Sequence, residues 1–407
     1  MQQGRAADEA KALLRPARGN DEVPVPVALL TPPRVVPVNG SPESVEKLAD
    51  ALRAALDGGP TVFPTATTPA VPLPDASERV AVVIATSGST GEAKLVALSA
   101  AALRASALAT QARLGGPARW LLALPAEHVA GVQVVVRALL AGAPPVAQDL
   151  RTGFRPDAFA DATAALGPGR RCTSLVPTQL ARILDAGGAA LDALRSYAAV
   201  LVGGAALDAE LGERARAAGV AVVTTYGMSE TAGGCVYDGV PLDGVQVDLD
   251  DGGRIRLGGP TLADGYLGER AQTAAAFACG WFRTGDLGRF SDGRLKVLGR
   301  ADDVIITGGE NVAPAAVERV LVAQPGVRAA CVVGLPDAEW GEVVAAVVGL
   351  DGPPASDRLR SAVRTELGRA AVPRVLLPIA EIPLRGIGKP DRAAVARALS
   401  AHSDSRG

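Results

Sequence analysis

The sequence has little of what marks disulfide-bonded, zinc-binding, membrane-spanning or nucleic-acid-binding proteins. No stretch reaches about eighteen uninterrupted apolar residues, so we expect no membrane insertion. There is no basic run, and 41 Lys and Arg against 43 Asp and Glu leave a net charge of -2, which gives no electrostatic case for a nucleic-acid partner. A small-molecule ligand is the better expectation. The four cysteines are too scattered to indicate a zinc site or a disulfide framework, and we expect buried thiols: Cys172, Cys235, Cys279 and Cys331.

The chain also lacks a signal-peptide core near its beginning and has very few lysines. The first absence predicts a cytoplasmic protein. With 407 residues and 48% hydrophobic content, the chain is long enough for two or three domains. Of its five lysines, Lys94 and Lys389 fall in glycine-containing loops, where a compact charge differs in use from the planar fork of arginine.

The order of apolar runs predicts an α/β protein. Between residues 80 and 298, short β-branched runs such as Val80–Ile84 alternate with alanine-rich helical segments, which indicates parallel strands with crossover helices. After Gly219 the sequence pattern changes to short strands and Asp-Gly turns, which predicts antiparallel hairpins or a small barrel. From Asp303 onward a separate small α+β domain is expected. The predicted boundaries are 1–299 for a large N-terminal domain with a barrel-like part, 300–302 for a hinge, 303–400 for a mobile domain and 401–407 for a disordered tail.

A glycine- and hydroxyl-rich loop follows the first buried strand. Two glycines allow close backbone approach to a ligand, the hydroxyls can donate to phosphate, and Lys94 adds a charge. The spacing differs from that of the NTPase phosphate loop, and a polar surface turn is the alternative for an isolated motif. ATP is the predicted ligand. The residues before the lysine are Thr86, Ser87, Gly88, Ser89, Thr90 and Gly91.

Three later segments carry further candidate ligand contacts. Gly203, Gly204 and Ala205 follow a strand, where adenine could lie against bare backbone. In the next such segment, an aromatic ring could stack on a base, a hydroxyl could bond phosphate, and Glu230 could hold Mg²⁺. Plain turns and solvated charges are the alternatives for each segment alone. That segment runs Tyr226, Gly227, Met228, Ser229, Glu230 and Thr231.

Two charged groups near the predicted domain boundary complete the set. Asp286 lies between glycines and could accept two ribose hydroxyls. Arg300 could reach the ribose or the α-phosphate, and Asp302 lies between two predicted domains, where a hinge would be placed. Surface ion pairs of little energetic value are the alternative.

Together these motifs resemble the adenylate-forming superfamily of acyl-CoA synthetases, peptide-synthetase adenylation domains and luciferases. The resemblance covers residues 80 to 392 and implies that Thr86 to Lys94 binds phosphate, Gly203 to Ala205 lines adenine and Tyr226 to Glu230 binds nucleotide and magnesium. It also implies that Asp286 and Arg300 contact ribose and that Asp302 is the hinge.

Two further loops resemble those of acyl-CoA synthetases in particular. The segment with Gly308 and Gly309 is similar to the loop that lines the pantetheine tunnel, which implies coenzyme A as acceptor. The segment 385–389 is similar to the loop of the mobile catalytic lysine, here Lys389. Glu230 and Lys94 are the other expected catalytic residues.

A narrower resemblance concerns the acid. Segments 124–131, 176–180 and 229–239 are similar to the o-succinylbenzoate-CoA ligases of menaquinone biosynthesis, which implies 2-succinylbenzoate as substrate and His128, Gly227 and Thr231 near it. A general aryl or medium-chain acyl-CoA ligase, an adenylation domain for a carrier protein and a non-catalytic nucleotide binder stay open. Because the N-terminal region is shorter than in most relatives, the earliest subdomain and any homodimer surface it forms also stay open.

Overall fold

The computed structural model describes residues 30–86, 94–350, 352, 356–385 and 389–404. Within these residues the chain forms eleven α-helices, and none of them is both long and apolar enough to cross a membrane. The helices are α1 Pro42–Leu56, α2 Ala100–Arg113, α3 Val129–Leu140, α4 Pro156–Ala165, α5 Pro177–Ala186, α6 Gly188–Arg195, α7 Ala209–Ala217, α8 Arg270–Ala276, α9 Pro314–Val322, α10 Ser356–Leu367 and α11 Arg392–Asp404.

Strands form six sheets among the described residues. The first thirteen strands are β1 Leu30–Thr31, β2 Arg34–Pro37, β3 Val62–Thr65, β4 Ala76–Ser77, β5 Val80–Thr86, β6 Lys94–Ser99, β7 Arg119–Leu122, β8 Val146–Ala147, β9 Arg171–Leu175, β10 Ala199–Val202, β11 Val222–Met228, β12 Gly233–Tyr237 and β13 Val240–Pro241. The others are β14 Gln246–Leu249, β15 Arg254–Gly258, β16 Gly265–Tyr266, β17 Phe277–Ala278, β18 Trp281–Ser291, β19 Arg294–Arg300, β20 Ile305–Thr307, β21 Glu310–Val312, β22 Val327–Asp337, β23 Gly341–Leu350, β24 Val375–Ile379, β25 Leu384–Arg385 and β26 Lys389–Pro390.

Two mixed sheets form most of the large N-terminal part. In the seven-stranded sheet, β8, β7, β9, β10 and β11 run parallel, and β12 and β13 add antiparallel at one edge. The second mixed sheet has five strands: β2, β3 and β5 run parallel, and β6 and β16 add antiparallel. The predicted crossover organisation is confirmed, although both sheets are mixed.

Local sequence explains where the first helix begins. Ser41 precedes it in extended conformation, its hydroxyl accepts from the N–H of Ser44, and Pro42 occupies the first turn, where its missing N–H costs nothing. One face of the helix carries Val45, Leu48 and Leu52, which are buried in the main core. The helix thereby covers the parallel part of the five-stranded sheet.

The region of Asp-Gly turns forms an antiparallel sheet, in the order β14, β15, β18 and β17, with β19 also paired to β18. Asp238-Gly239 and Asp292-Gly293 close two-residue hairpins with positive φ at both positions, as such turns require. Asp264-Gly265 differs, since Gly265 begins a strand that pairs with β6. The predicted barrel-like part is an open sheet in the described residues, because no pairing closes β14 onto β19.

The C-terminal part is the expected small α+β unit. Alternating residues of β22 pack on opposite sides: Val332 joins the core beneath α9 and α10, whereas Cys331 and Val333 join the core beneath α11. Helix α11 continues through Asp404, so the expectation of a disordered tail from residue 401 is wrong up to that point. Val395 and Leu399 anchor this helix by complete burial against the sheet.

Candidate active site

The predicted phosphate loop connects two antiparallel strands. Thr86 and Lys94 are paired residues at the ends of β5 and β6, and the Thr86 hydroxyl donates to the Lys94 carbonyl at 3.3 Å. The strand pairing therefore fixes both ends of the loop. The predicted contacts between them, Ser87, Gly88, Ser89, Thr90 and Gly91, lie outside the described residues.

A tyrosine absent from the sequence prediction joins two of the predicted catalytic residues. Nζ of Lys94 lies 4.8 Å from the ring centroid of Tyr266, and the Tyr266 hydroxyl donates to Oε1 of Glu230 at 3.0 Å. Burial and the nearby Glu230 carboxylate raise the pKa of Tyr266, so its hydroxyl stays a protonated donor. The only sequence signal was the adjacent Asp264-Gly265 dipeptide, which indicated a turn and nothing about these contacts.

Asp286 and Arg300, each predicted to contact ribose, lie close together, and Tyr226 joins them. The Tyr226 hydroxyl donates to Oδ2 of Asp286 at 2.8 Å, and Nη1 of Arg300 lies 3.7 Å from Oδ1. Burial, with the charge of Asp286, raises the pKa of Tyr226, which therefore remains a neutral donor. Each carboxylate oxygen has a second lone pair, so Asp286 can still accept from two hydroxyls of a sugar.

Arg300 is held by its backbone surroundings. Its guanidinium packs on Gly285, where a Cβ would lie only 2.5 Å from Nη2. The N–H of Ala301 donates to the Gly285 carbonyl at 2.8 Å, which ties the end of β19 to β18. Asp302 follows immediately, more than half exposed and 3.3 Å from Arg300. The residue expected as hinge thus comes directly after this backbone hydrogen bond to β18.

Gly203, Gly204 and Ala205 follow β10 as predicted. A Cβ on Gly203 would overlap the hydroxyl of Thr225, so glycine is required for β10 to lie this close to β11. Gly204 and Ala205 are exposed. Their backbone is open to a flat ligand, and the adenine contact stays a prediction.

A buried threonine side chain stabilises the turn that follows β11. Thr231 is fully buried; its hydroxyl accepts from the Met228 N–H at 3.0 Å and lies 2.8 Å from the Gly233 carbonyl oxygen. Ser229 is also buried. The Thr231 side chain stabilises the turn, so the predicted contact of this residue with a substrate would have to come from its backbone.

His128 immediately precedes α3, a helix that the sequence prediction missed. Two buried polar residues further along this helix have unsatisfied atoms: Oε1 of Gln133 and Nε of Arg137 make no hydrogen bond among the described residues. The guanidinium of Arg137 packs on the Trp120 ring at 5.1 Å and donates to the Tyr237 hydroxyl at 3.3 Å. Its described partners are a ring and a hydroxyl, with no carboxylate among them.

Gly308 and Gly309 form the turn between β20 and β21, both with positive φ. The Gly308 N–H donates to the Trp340 carbonyl at 3.0 Å, and a Cβ on Gly308 would meet the Trp340 ring at 2.6 Å. The centroid of that ring lies 4.5 Å from the guanidinium carbon of Arg374. This turn is therefore backed by a half-exposed aromatic surface.

Lys389 begins β26, which pairs with β25 in the C-terminal part. Three residues later, Arg392 begins α11 and binds two carboxylates: its Nε lies 3.1 Å from Asp303, and its Nη1 lies 2.7 Å from Glu318. Nη1 also donates to the Val332 carbonyl at 2.5 Å. Arg392 thus connects the helix after Lys389 to the residue after Asp302.

Comparison with known proteins accounts for this arrangement. Residues 6–267 match the AMP-binding enzyme family, and residues 316–389 match the AMP-binding enzyme C-terminal domain. The chain belongs to the AMP-binding enzyme family. The two matches lie in the large N-terminal part and in the C-terminal part of this AMP-binding enzyme, and the second match ends at Lys389.

Several relatives of this AMP-binding enzyme share one activity in their names. A probable 2-succinylbenzoate–CoA ligase of Mycobacterium tuberculosis (strain CDC 1551 / Oshkosh) is 49% identical over 333 residues, covering 80% of this chain and 86% of the relative. The 2-succinylbenzoate–CoA ligase of Listeria monocytogenes serovar 1/2a is 30% identical over 330 residues, covering 77% and 69%.

Solved AMP-binding structures share the fold. The o-succinylbenzoate CoA synthetase MenE of Bacillus subtilis, in complex with the acyl-adenylate intermediate OSB-AMP, matches with a TM-score of 0.70 and 26% identity over 89% of this chain and 77% of that chain. The amide bond synthetase McbA of Marinactinospora thermotolerans matches with a TM-score of 0.71 and 31% identity over 88% and 78%. The expected adenylate-forming α/β fold is confirmed.

Proposed function

We propose that this AMP-binding enzyme is an ATP-dependent acid–CoA ligase that activates 2-succinylbenzoate in menaquinone biosynthesis. It forms 2-succinylbenzoyl-AMP with release of pyrophosphate, then transfers the acyl group to coenzyme A and releases AMP. The observation that carries the proposal is the 49% identity to a probable 2-succinylbenzoate–CoA ligase over 80% of the chain. The Bacillus MenE solved with OSB-AMP supports the same substrate.

The residues near Tyr266 suit MgATP. Magnesium is usually bound by one or two carboxylates together with substrate phosphates and water, and the described residues contain no cluster of three or more metal-ligating side chains. Glu230 is a single carboxylate that shares the contact residue Tyr266 with Lys94, so it fits a metal that ATP itself helps to bind. When bound, Mg²⁺ would neutralise phosphate charge.

In the first half-reaction the substrate carboxylate attacks the α-phosphate, and the bond to pyrophosphate breaks. Two anions approach one another, so positive groups around them lower the barrier. Lys94 would hold the departing pyrophosphate, Arg300 would lie near the α-phosphate, and Lys389 would arrive on the C-terminal part. Asp286 would accept the ribose hydroxyls, which orients the nucleotide.

In the second half-reaction the sulfur of coenzyme A attacks the acyl carbonyl, and AMP leaves. We infer that the C-terminal part turns about Asp302, which withdraws Lys389 and presents the Gly308–Gly309 turn. The aromatic backing of that turn by Trp340 supports its use as a wall for a narrow, extended chain such as pantetheine. The motion is a proposal of the type that closes many active sites.

The second carboxylate of 2-succinylbenzoate needs a partner, and the buried polar face of α3 supports a candidate. A buried arginine without a carboxylate is costly, and an anionic ligand would lower that cost. Arg137 is 6% exposed and has an unsatisfied Nε. His128 precedes the same helix and would lie closer to the reacting end.

An assay of purified protein with ATP and coenzyme A tests the function. 2-Succinylbenzoate is compared with benzoate and medium-chain fatty acids, and we expect a clear kcat/KM preference for the dicarboxylate. Equal rates would favour the general aryl or medium-chain ligase. Because the amide bond synthetase shares the fold, the second half-reaction is also run with an amine in place of coenzyme A; preferred amide formation would overturn thioester formation.

A carrier-protein acceptor and a non-catalytic nucleotide binder are tested by the same assay. Turnover with free coenzyme A excludes the need for a carrier, and pyrophosphate release excludes a pure binder. ATP and coenzyme A as substrates support a cytoplasmic location. A homodimer remains a proposal, and sedimentation of the purified protein would decide it.

A further inference from the structure

Tyr266 lies in a strand of only two residues, and contacts of its backbone and of its ring fix its position. Its N–H donates to the Thr273 hydroxyl at 2.9 Å, and the N–H of Leu267 donates to the carbonyl of Leu95 on β6 at 2.7 Å. The ring makes an edge contact with Phe277 at 5.7 Å and is 8% exposed. Ring and hydroxyl therefore have fixed positions before any ligand binds.

The ring and the hydroxyl of Tyr266 contact two groups of opposite charge. The ring face meets the Lys94 ammonium at 4.8 Å, a distance typical of a cation–π contact. The hydroxyl donates to one oxygen of Glu230 at 3.0 Å, which leaves the other oxygen for a further partner. Lys94 and Glu230 form no direct ion pair in the described part of the chain.

We propose that Tyr266 is a positioning residue that keeps Lys94 and Glu230 apart and separately available to ATP and its metal ion. A direct ion pair between them would satisfy both charges internally, and MgATP would have to break it. The ring instead offers the lysine a weak partner that phosphate easily displaces. The hydroxyl orients the carboxylate without competing for its negative charge. The inference rests on the proposed function in taking MgATP as ligand.

Calorimetric titration with ATP, once with excess Mg²⁺ and once with EDTA, separates the two contacts. Tyr266→Phe keeps the ring and removes only the bond to Glu230. We expect its Kd for MgATP to rise about tenfold, as for loss of a hydrogen bond to a charged group, with little change for metal-free ATP. Tyr266→Leu removes both contacts, and we expect weaker binding under both conditions.

Two controls distinguish this role from a loss of stability. Tyr197→Phe removes another buried hydroxyl, which lies 2.8 Å from the Thr163 hydroxyl in a different core, and it should leave both affinities unchanged. In the Glu230→Ala background, Tyr266→Phe should add no further loss of MgATP binding.

The outcomes are separable from those of the proposed function. Wild-type protein that fails to bind MgATP contradicts the function. Wild-type binding with an unchanged Tyr266→Phe variant contradicts the positioning role. Equal losses with Mg²⁺ and with EDTA in that variant also overturn it, because removal of the hydroxyl would then act through general distortion.

Discussion

The hydroxyl of Tyr226 donates to Asp286 across 60 residues of sequence, at 2.8 Å. The tyrosine lies in β11 of the seven-stranded sheet and the aspartate in β18 of the antiparallel sheet, so this bond joins the two sheets at the place where ribose is expected. Asp286 is only 14% exposed by its side chain. Its orientation therefore depends on the tyrosine on one side and Arg300 on the other.

Removing this hydroxyl should weaken nucleotide binding. We expect Tyr226→Phe to raise the Kd for ATP several-fold, because Asp286 loses a donor that orients it, and to lower the free energy of unfolding by about 1 kcal/mol. Titration calorimetry and urea unfolding measure the two effects. Asp286→Asn is the comparison: if it weakens binding while Tyr226→Phe does not, the tyrosine has no part in ribose recognition.

Gly227 permits close approach of two strands next to the predicted substrate pocket. A Cβ there would overlap the carbonyl of Gly233 on β12. We expect Gly227→Ala to lower the free energy of unfolding by about 3 kcal/mol, since backbone must move. Gly212→Ala on α7 meets only ordinary contacts and should be neutral or stabilising. Equal unfolding midpoints for the two variants would contradict the packing argument.

The two half-reactions should respond differently to loss of Lys389. We expect Lys389→Ala to abolish pyrophosphate release from ATP and acid but to spare thioester formation from supplied acyl-adenylate. Separate assays of pyrophosphate release and of thioester formation measure the two rates. Lys296→Ala, an exposed lysine on β19, is the matched control and should leave both rates unchanged. Equal losses in both half-reactions of the Lys389 variant would mean that the lysine acts throughout.

The cysteines should differ sharply in reactivity. Burial raises the pKa of Cys172 to about 11 and those of Cys235 and Cys331 to about 12. Cys279 is exposed, so the expectation of a buried thiol is wrong for this residue. Because the thiolate is the nucleophile, iodoacetamide at neutral pH should modify Cys279 alone in the native protein and all four after unfolding. Mass spectrometry counts the adducts, and Cys279→Ser removes the native one. A second cysteine modified as fast would contradict the burial.

The same thiols predict how stability changes in alkali. Unfolded thiols release their protons from about pH 8.5, whereas the buried thiols keep theirs to higher pH. The unfolded state therefore binds fewer protons above that value, and the free energy of unfolding should fall as pH rises from about 9 towards 11. Urea unfolding across this range measures the fall, which Cys235→Ala should reduce. A flat profile would contradict the prediction.

Local patterns predicted the amphipathic elements well. The spacing of apolar residues predicts helices over Ser44–Leu56 and Ser356–Leu367. Helix α10 covers the second range, and α1 begins two residues before the first, at Pro42. Helix α3 was missed because residues Val132 to Val136 are all buried, so no exposed polar face gives the helical period. The barrel-like expectation followed from short strands alone, which cannot tell whether a sheet closes.

Sequence analysis predicted those parts of the candidate site whose residues are neighbours in the chain and form one motif. The contacts of Tyr266 were missed because Lys94 and Glu230 lie far away in the chain, and a lone tyrosine after a glycine carries no signal of them. Thr231 shows a second limit of the sequence. The resemblance implies that this residue lies near the substrate, but it gives no sign that the Thr231 hydroxyl bonds to backbone groups of its own turn.

Arg392 ties the helix after Lys389 to Asp303, directly after the predicted hinge. The ion pairs with Asp303 and Glu318 link the start of helix α11 to helix α9 and to the start of the C-terminal part. Because Lys389 lies three residues before Arg392, a turn at the proposed hinge Asp302 would displace the two residues together. The reach of Lys389 towards the nucleotide would then depend on the angle at that hinge.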